Sequence, residues 1–111
     1  MQVSVEEDGR VTVVSVSGDL VIGDSETAFK REILRLLEAG KVDMVIDCSA
    51  LRSVDSTGLG ALVRALTESQ SGGGQAKLAS VGPQLRRLLE LTRLDSVFEM
   101  YDDREQAVSS F

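Results

Sequence analysis

Short apolar segments alternate along this chain with segments in which apolar residues recur every three or four positions. The first two apolar segments, residues 3–7 and 10–17, are separated by Asp8-Gly9, a pair typical of a β-hairpin turn. From residue 24 onward, helical and strand patterns take turns. A hairpin followed by such alternation predicts an α/β fold with one mixed β-sheet, parallel later strands, right-handed crossovers and about four helices.

Glycine and proline mark most of the predicted element boundaries after the hairpin. In chain order, the predicted elements are a loop over 18–24, a helix from Asp24 or Ser25 to Gly40, a strand over 42–47, a loop over 48–55, a helix from about Ser56 to 69, a turn over 72–74, a strand over 75–81, a helix from Pro83, a short strand within 94–101 and a helix over 102–108.

Length and composition fit a single domain over residues 1–111. The net charge of −6 disfavours nucleic acid and anionic membranes as partners, because both attract clustered lysine and arginine. No apolar run is long enough to span a membrane, and the first ten residues do not resemble a signal peptide. We therefore expect a cytoplasmic protein.

The chain contains no histidine and only one cysteine, Cys48. This composition excludes Ser–His and Cys–His catalytic pairs, an intrachain disulfide and most zinc sites. The glycines at 72–74 lack the Lys-Ser/Thr ending of a phosphate-binding loop. We therefore expect no catalytic residues, no metal and no cofactor, and we expect Cys48 to be a small core residue.

The segment 55–60, Asp-Ser-Thr-Gly-Leu-Gly, lies where an apolar strand gives way to a helix. A serine at this position, Ser56, lies beside the free N–H groups of a helix start, where an anion such as a phosphoryl group can bind. The alternative is that Ser56 only caps the helix. Gly58 and Gly60 are unusual in a first helical turn, and either a partner surface or tight packing on the sheet would require them.

Asp47, at the predicted end of a strand, offers a competing site. A strand-end aspartate accepts the phosphoryl group in response-regulator receivers. Such receivers also need an acidic pair after the first strand and a lysine late in the sheet. Here Asp19 stands alone and Lys77 begins its strand, so the sequence gives this hypothesis little support.

The complete pattern resembles that of a STAS domain, specifically a bacterial anti-sigma factor antagonist. The resemblance covers nearly the whole chain, and its most specific part is the Asp-Ser-Thr-Gly-Leu-Gly block. The matching segments are Val-Ser-Gly-Asp-Leu at 16–20, Val-Ile-Asp at 45–47, Val-Asp-Ser-Thr-Gly-Leu-Gly at 54–60, Gly-Gly at 73–74, Leu-Leu at 88–89, Leu94 and Val-Phe at 97–98.

The resemblance implies a partner-switching regulator. In such antagonists the serine after the aspartate, here Ser56, is phosphorylated from ATP by an anti-sigma factor with serine kinase activity. The unphosphorylated antagonist holds that anti-sigma factor, which frees a sigma factor for transcription. Phosphorylation releases the antagonist, and a PP2C-type phosphatase resets it. We expect a monomer or weak dimer.

We predict that two segments form the partner surface, because both follow strands that should be neighbours in the sheet. They are the loop after the second strand and the start of the Ser56 helix. The predicted partner-binding residues are Gly23, Asp24, Ser25, Asp55, Thr57, Gly58, Leu59 and Gly60.

The chain departs from the family pattern in the first of these segments. Family members often carry a second acid where this chain has Val21, followed by Ile22. The apolar pair suits either contact with a partner or packing on the domain itself. Two other STAS functions remain open: a structural subunit of a stress-signalling complex, and a small subunit of a transporter.

Overall fold

The computed structural model describes all residues from Met1 to Phe111 and contains five strands and four helices in the predicted order. The elements are β1 (Gln2–Asp8), β2 (Val11–Leu20), α1 (Asp24–Glu38), β3 (Asp43–Val54), α2 (Ser56–Ser71), β4 (Gln75–Ala79), α3 (Pro83–Leu91), β5 (Met100–Tyr101) and α4 (Arg104–Ser109).

The strands form one mixed sheet in the order β1-β2-β3-β4-β5. β1 and β2 are antiparallel, and Asp8 pairs with Val11 across the hairpin turn, where Gly9 adopts a positive φ of 64°. The other neighbouring strands are parallel. The α/β class, the N-terminal hairpin and the parallel later strands are therefore confirmed.

The predicted loops at 18–24 and 48–55 are partly wrong, because both segments continue as strand. β2 extends to Leu20 and β3 extends to Val54, and the two ends pair in parallel with irregularities in register. Polar side chains hold these extensions together, since the Ser53 hydroxyl donates to the Asp19 carboxylate at 2.8 Å. These strand ends also reach into the main core, where Leu20, Cys48 and Val54 are buried.

Helices cover both faces of the sheet. The main core lies between the sheet and α1, α2 and α3, and the α1 residues Phe29, Ile33 and Leu36 are buried in it. A smaller cluster lies on the opposite face beneath α4. Cys48 is in the main core, as predicted, and burial raises the pKa of its thiol to about 12.

Arg104, at the start of α4, joins this helix to two strands. Its guanidinium donates to Asp47 on β3 at 2.7 and 2.9 Å, and to Glu6 on β1 at 3.0 Å. Asp103 caps the same helix by accepting from the Gln106 N–H at 2.8 Å. None of the helices in the structure combines the length and the apolar character needed to cross a membrane.

Candidate functional site

The carboxyl ends of β2 and β3 lie side by side, with Leu20 paired to Val54. The loop that follows β2 and the helix that follows β3 therefore begin next to each other. The predicted convergence of these two segments at one end of the sheet is confirmed.

Asp55 connects the two segments through its carboxylate. One oxygen, Oδ1, accepts from the N–H of Gly58 at 2.8 Å, which makes Asp55 the N-cap of α2. The other oxygen, Oδ2, accepts from the N–H of Ile22 in the β2–α1 loop at 2.9 Å. The hydrogen bonds from Ile22 and Gly58 lower the pKa of Asp55. The side chain is therefore ionised at neutral pH.

Ser56 is the first residue of α2 and is exposed. Since Asp55 provides the cap, the Ser56 hydroxyl has no capping role and remains available. Two nearby serines differ in this respect. The Ser53 hydroxyl donates to Asp19, and the Ser25 hydroxyl donates to the carbonyl of Val21 at 2.8 Å.

The glycines of the first turn of α2 have different surroundings. Gly58 is buried, and a Cβ atom there would collide with the carbonyl oxygen of Leu20 and lie 2.9 Å from the carbonyl carbon. Gly60 is exposed, and a Cβ atom there would meet no atom within 4 Å. Tight packing therefore explains Gly58 but not Gly60. Leu59 between them is buried in the main core.

The β2–α1 loop is short and held in place by hydrogen bonds. Gly23 adopts a φ of 110°, which other residues rarely reach, and Asp24 beside it is exposed. The Ser25 hydroxyl accepts from the Val21 N–H at 3.0 Å as well as donating to its carbonyl. Val21 is half-buried, whereas Ile22 is 73% exposed. Of the two apolar residues, Ile22 is thus the one that faces solvent.

Carboxylates make this end of the sheet negative. Asp19, Asp24 and Asp55 lie here, and Arg52, which pairs with Asp19 at 3.0 Å, offsets one of the three charges. Hydrogen bonds from Ser53 and Arg52 lower the pKa of Asp19. A partner that covers Ser56 therefore meets a surface that already carries negative charge.

Asp47, which the sequence offered as a competing phosphoryl acceptor, is not part of this site. It lies within β3, is 6% exposed and is paired with Arg104. Burial alone would raise the pKa of Asp47, but hydrogen bonds from Ser49 and Arg104 lower it. The geometry does not support Asp47 as a phosphoryl acceptor.

Two interactions of the aspartates discussed above had no signal in the sequence. They are the Asp55–Ile22 hydrogen bond and the Asp47–Arg104 ion pair, which join residues 33 and 57 positions apart. The side chains of the described structure form no group of three or more histidine, cysteine, aspartate or glutamate residues arranged to hold a metal.

Comparison with known proteins identifies the family. The sequence model of the STAS domain family matches residues 2–107. The chain belongs to the STAS domain family. A candidate anti-sigma factor antagonist of Thermotoga maritima is 32% identical to this STAS domain over 81 residues, which are 72% of each chain.

Solved STAS structures share the fold. An anti-sigma factor antagonist from Mycobacterium paratuberculosis is 30% identical, with a TM-score of 0.84 over 98% of this chain and 92% of that one. The Bacillus cell fate determinant SpoIIAA, solved in its phosphorylated form, has a TM-score of 0.79 at 19% identity, over 98% of both chains. At that identity, the likeness to SpoIIAA concerns the fold alone.

Proposed function

We propose that this STAS domain is an anti-sigma factor antagonist whose binding is switched by phosphorylation of Ser56. The observation that carries the proposal is the position of Ser56. It is exposed, it is the first residue of α2, and it is not needed as the helix cap because Asp55 fills that role. The likeness of the chain to anti-sigma factor antagonists, at 30 and 32% identity, supports the proposal. A protein of the same fold, SpoIIAA, exists in a phosphorylated form.

The charge at the site accounts for the switch. A phosphoserine adds about −1.5 to −2 charges at neutral pH. The first N–H groups of α2 are suited to hold the phosphoryl group, so the domain keeps its fold. In a complex, the added charge lies near the charges of Asp55 and Asp24 and loses its hydration. Like charges buried together in an interface cost several kcal/mol of binding free energy. Since about 1.4 kcal/mol changes affinity tenfold, one phosphoryl group suffices for release.

The proposed cycle has two protein partners and takes place in the cytoplasm. An anti-sigma factor serine kinase binds the unphosphorylated domain and phosphorylates it, and a PP2C-type phosphatase removes the group. The domain itself provides a binding surface and no catalytic turnover. Its outer residues contact the kinase, while Gly58 and Leu59, which are buried, act by fixing the turn beneath. The contact residues proposed on the outside are Gly23, Asp24, Ser25, Asp55, Thr57 and Gly60.

The test uses purified anti-sigma factor serine kinases encoded in the genome that encodes this chain. With Mg-ATP, one of them should transfer one phosphoryl group, which mass spectrometry should locate at Ser56. Ser56→Ala should bind that kinase with wild-type affinity in calorimetry and should not be released by ATP. Ser56→Asp, which adds less charge than a phosphoryl group, should bind with intermediate affinity. Ser49→Ala, at another exposed serine, is the matched control and should behave as wild type.

Phosphorylation at another residue, or a phosphorylated protein that stays bound, would contradict the proposal. Size measurement on the purified domain tests the structural alternative, since a monomer or weak dimer fits the antagonist. A megadalton assembly would instead indicate a scaffold of a stress-signalling complex.

A further inference from the structure

Ile22 is a large, exposed apolar residue whose backbone is bonded to the residue that precedes Ser56. The residue is 73% exposed, and its N–H donates to the Asp55 carboxylate at 2.9 Å. Scattered exposed apolar residues are ordinary on protein surfaces. Ile22 differs from the others because the same carboxylate that caps the Ser56 helix also fixes its backbone.

The loop around Ile22 is held in place before any partner binds. The Ser25 hydroxyl bonds to both the N–H and the carbonyl of Val21, and that carbonyl also accepts from the Glu26 N–H at 3.2 Å. Together with the Asp55 bond, these contacts fix the backbone on both sides of the Ile22 side chain. A side chain presented from an ordered backbone loses less entropy on binding than one presented from a mobile loop.

The partner that covers Ile22 can be inferred from the position of Ile22 next to the Ser56 helix. A specific protein interface covers roughly 800 Å² on each partner. A protein that covers Ser56 therefore also reaches Ile22, because the Ile22 N–H is bonded to Asp55, the residue before Ser56. Binding energy in such interfaces is concentrated in a few central, desolvated side chains surrounded by polar groups. Here the surrounding polar groups are the carboxylates of Asp24 and Asp55.

We propose that Ile22 is the apolar anchor of the complex with the anti-sigma factor kinase, and that the kinase presents an apolar pocket to receive it. This inference rests on the proposed function, since it assumes a protein that binds the surface around Ser56. Ile22 supplies affinity, whereas Ser56 supplies the switch. The two properties are therefore separable by mutation.

The experiment compares Ile22→Ala with Leu91→Ala. Leu91 is a matched control because it is also 73% exposed but lies at the last residue of α3. The probe is the purified serine kinase that phosphorylates the wild-type domain, titrated by calorimetry without ATP. Ile22→Ala should bind at least tenfold more weakly, which is about 1.4 kcal/mol. Leu91→Ala should bind as wild type, and Ile22→Leu should retain most of the affinity.

Thermal unfolding of each variant separates binding from folding. Because Ile22 is exposed and alanine retains the N–H that bonds to Asp55, Ile22→Ala should unfold at the wild-type temperature. Ile22→Asp, which adds charge at the same position, provides a second variant and should bind at least as weakly as Ile22→Ala.

The inference is overturned if Ile22→Ala and Ile22→Asp bind with wild-type affinity while Ser56 is still phosphorylated and still releases the kinase. In that case the proposed function stands without the anchor. If none of the anti-sigma factor serine kinases encoded in the same genome binds or phosphorylates the wild-type domain, the proposed function and the anchor both fail. Equal weakening by Ile22→Ala and Leu91→Ala also contradicts the anchor, because the effect would then not be specific to this surface.

Discussion

The first turn of α2 has two sides that differ in how much change they can accept. On the inner side, Gly58 touches the backbone of Leu20, and Leu59 is buried in the main core. On the outer side, Ser56 and Gly60 are exposed, and nothing lies within 4 Å of a Cβ placed at Gly60. One helical turn thus combines a fixed attachment to the sheet with a surface that can be modified without strain.

Asp55 belongs to both sides of this comparison. Its bond to the Gly58 N–H stabilises the inner turn, and its bond to the Ile22 N–H positions the outer loop. The proposed phosphorylation of Ser56 would change the charge of the outer side while the backbone beneath remains in place. The difference between the two sides can be tested by substitutions at three residues.

Gly58→Ala should have the largest effect, because the added methyl group collides with the Leu20 backbone rather than with a movable side chain. We expect a loss of about 3 kcal/mol in the free energy of unfolding, at the upper end of typical overpacking costs. Urea denaturation measures this loss. A change below 1 kcal/mol would mean that the inner side is not tightly packed.

Asp55→Ala should have a smaller effect on stability, since it removes two hydrogen bonds at a half-buried position. The melting temperature should fall by roughly 4 °C or more. Asp24→Ala, which removes the same charge nearby, is the control.

The pH dependence of Asp55→Ala follows from the lowered pKa of Asp55. A carboxylate with a lowered pKa in the folded state stabilises the fold above its unfolded pKa of about 4, and this contribution disappears as the pH falls through the folded pKa. The difference in stability between wild type and Asp55→Ala should therefore shrink below about pH 4. A difference that stays constant from pH 7 to pH 3 would show that packing, not charge, is responsible.

Gly60→Ala should have the smallest effect on stability and the opposite sign. A Cβ atom fits in open space, and alanine favours helix over glycine by up to about 1 kcal/mol, so the free energy of unfolding should rise. A bulky residue, as in Gly60→Phe, should weaken kinase binding more than it changes stability. Large thermal destabilisation with unchanged affinity would place Gly60 with Gly58 on the inner side.

The sequence was informative where local rules determine structure. Periodicity and turn residues predicted all nine elements in order, and the start of α2 at Ser56 was correct. The strand ends at 18–20 and 48–54 were missed because their pairing depends on partners far along the chain. The same limit applies to the site. The motif indicated Ser56, but the bond from Ile22 to Asp55 exists only once β2 and β3 are neighbours.

The contacts of Arg104 have a consequence for how the chain folds during synthesis. Strands β1 to β4 follow one another in both sequence and space, so each can add to the sheet as it emerges from the ribosome. The face beneath α4 differs, because it stays uncovered until α4 has been synthesised. Arg104 in that helix then contacts Glu6, which lies 98 positions earlier in the chain. Contacts so distant in sequence form slowly. This face is therefore the last part of the nascent domain to be shielded from proteases and chaperones.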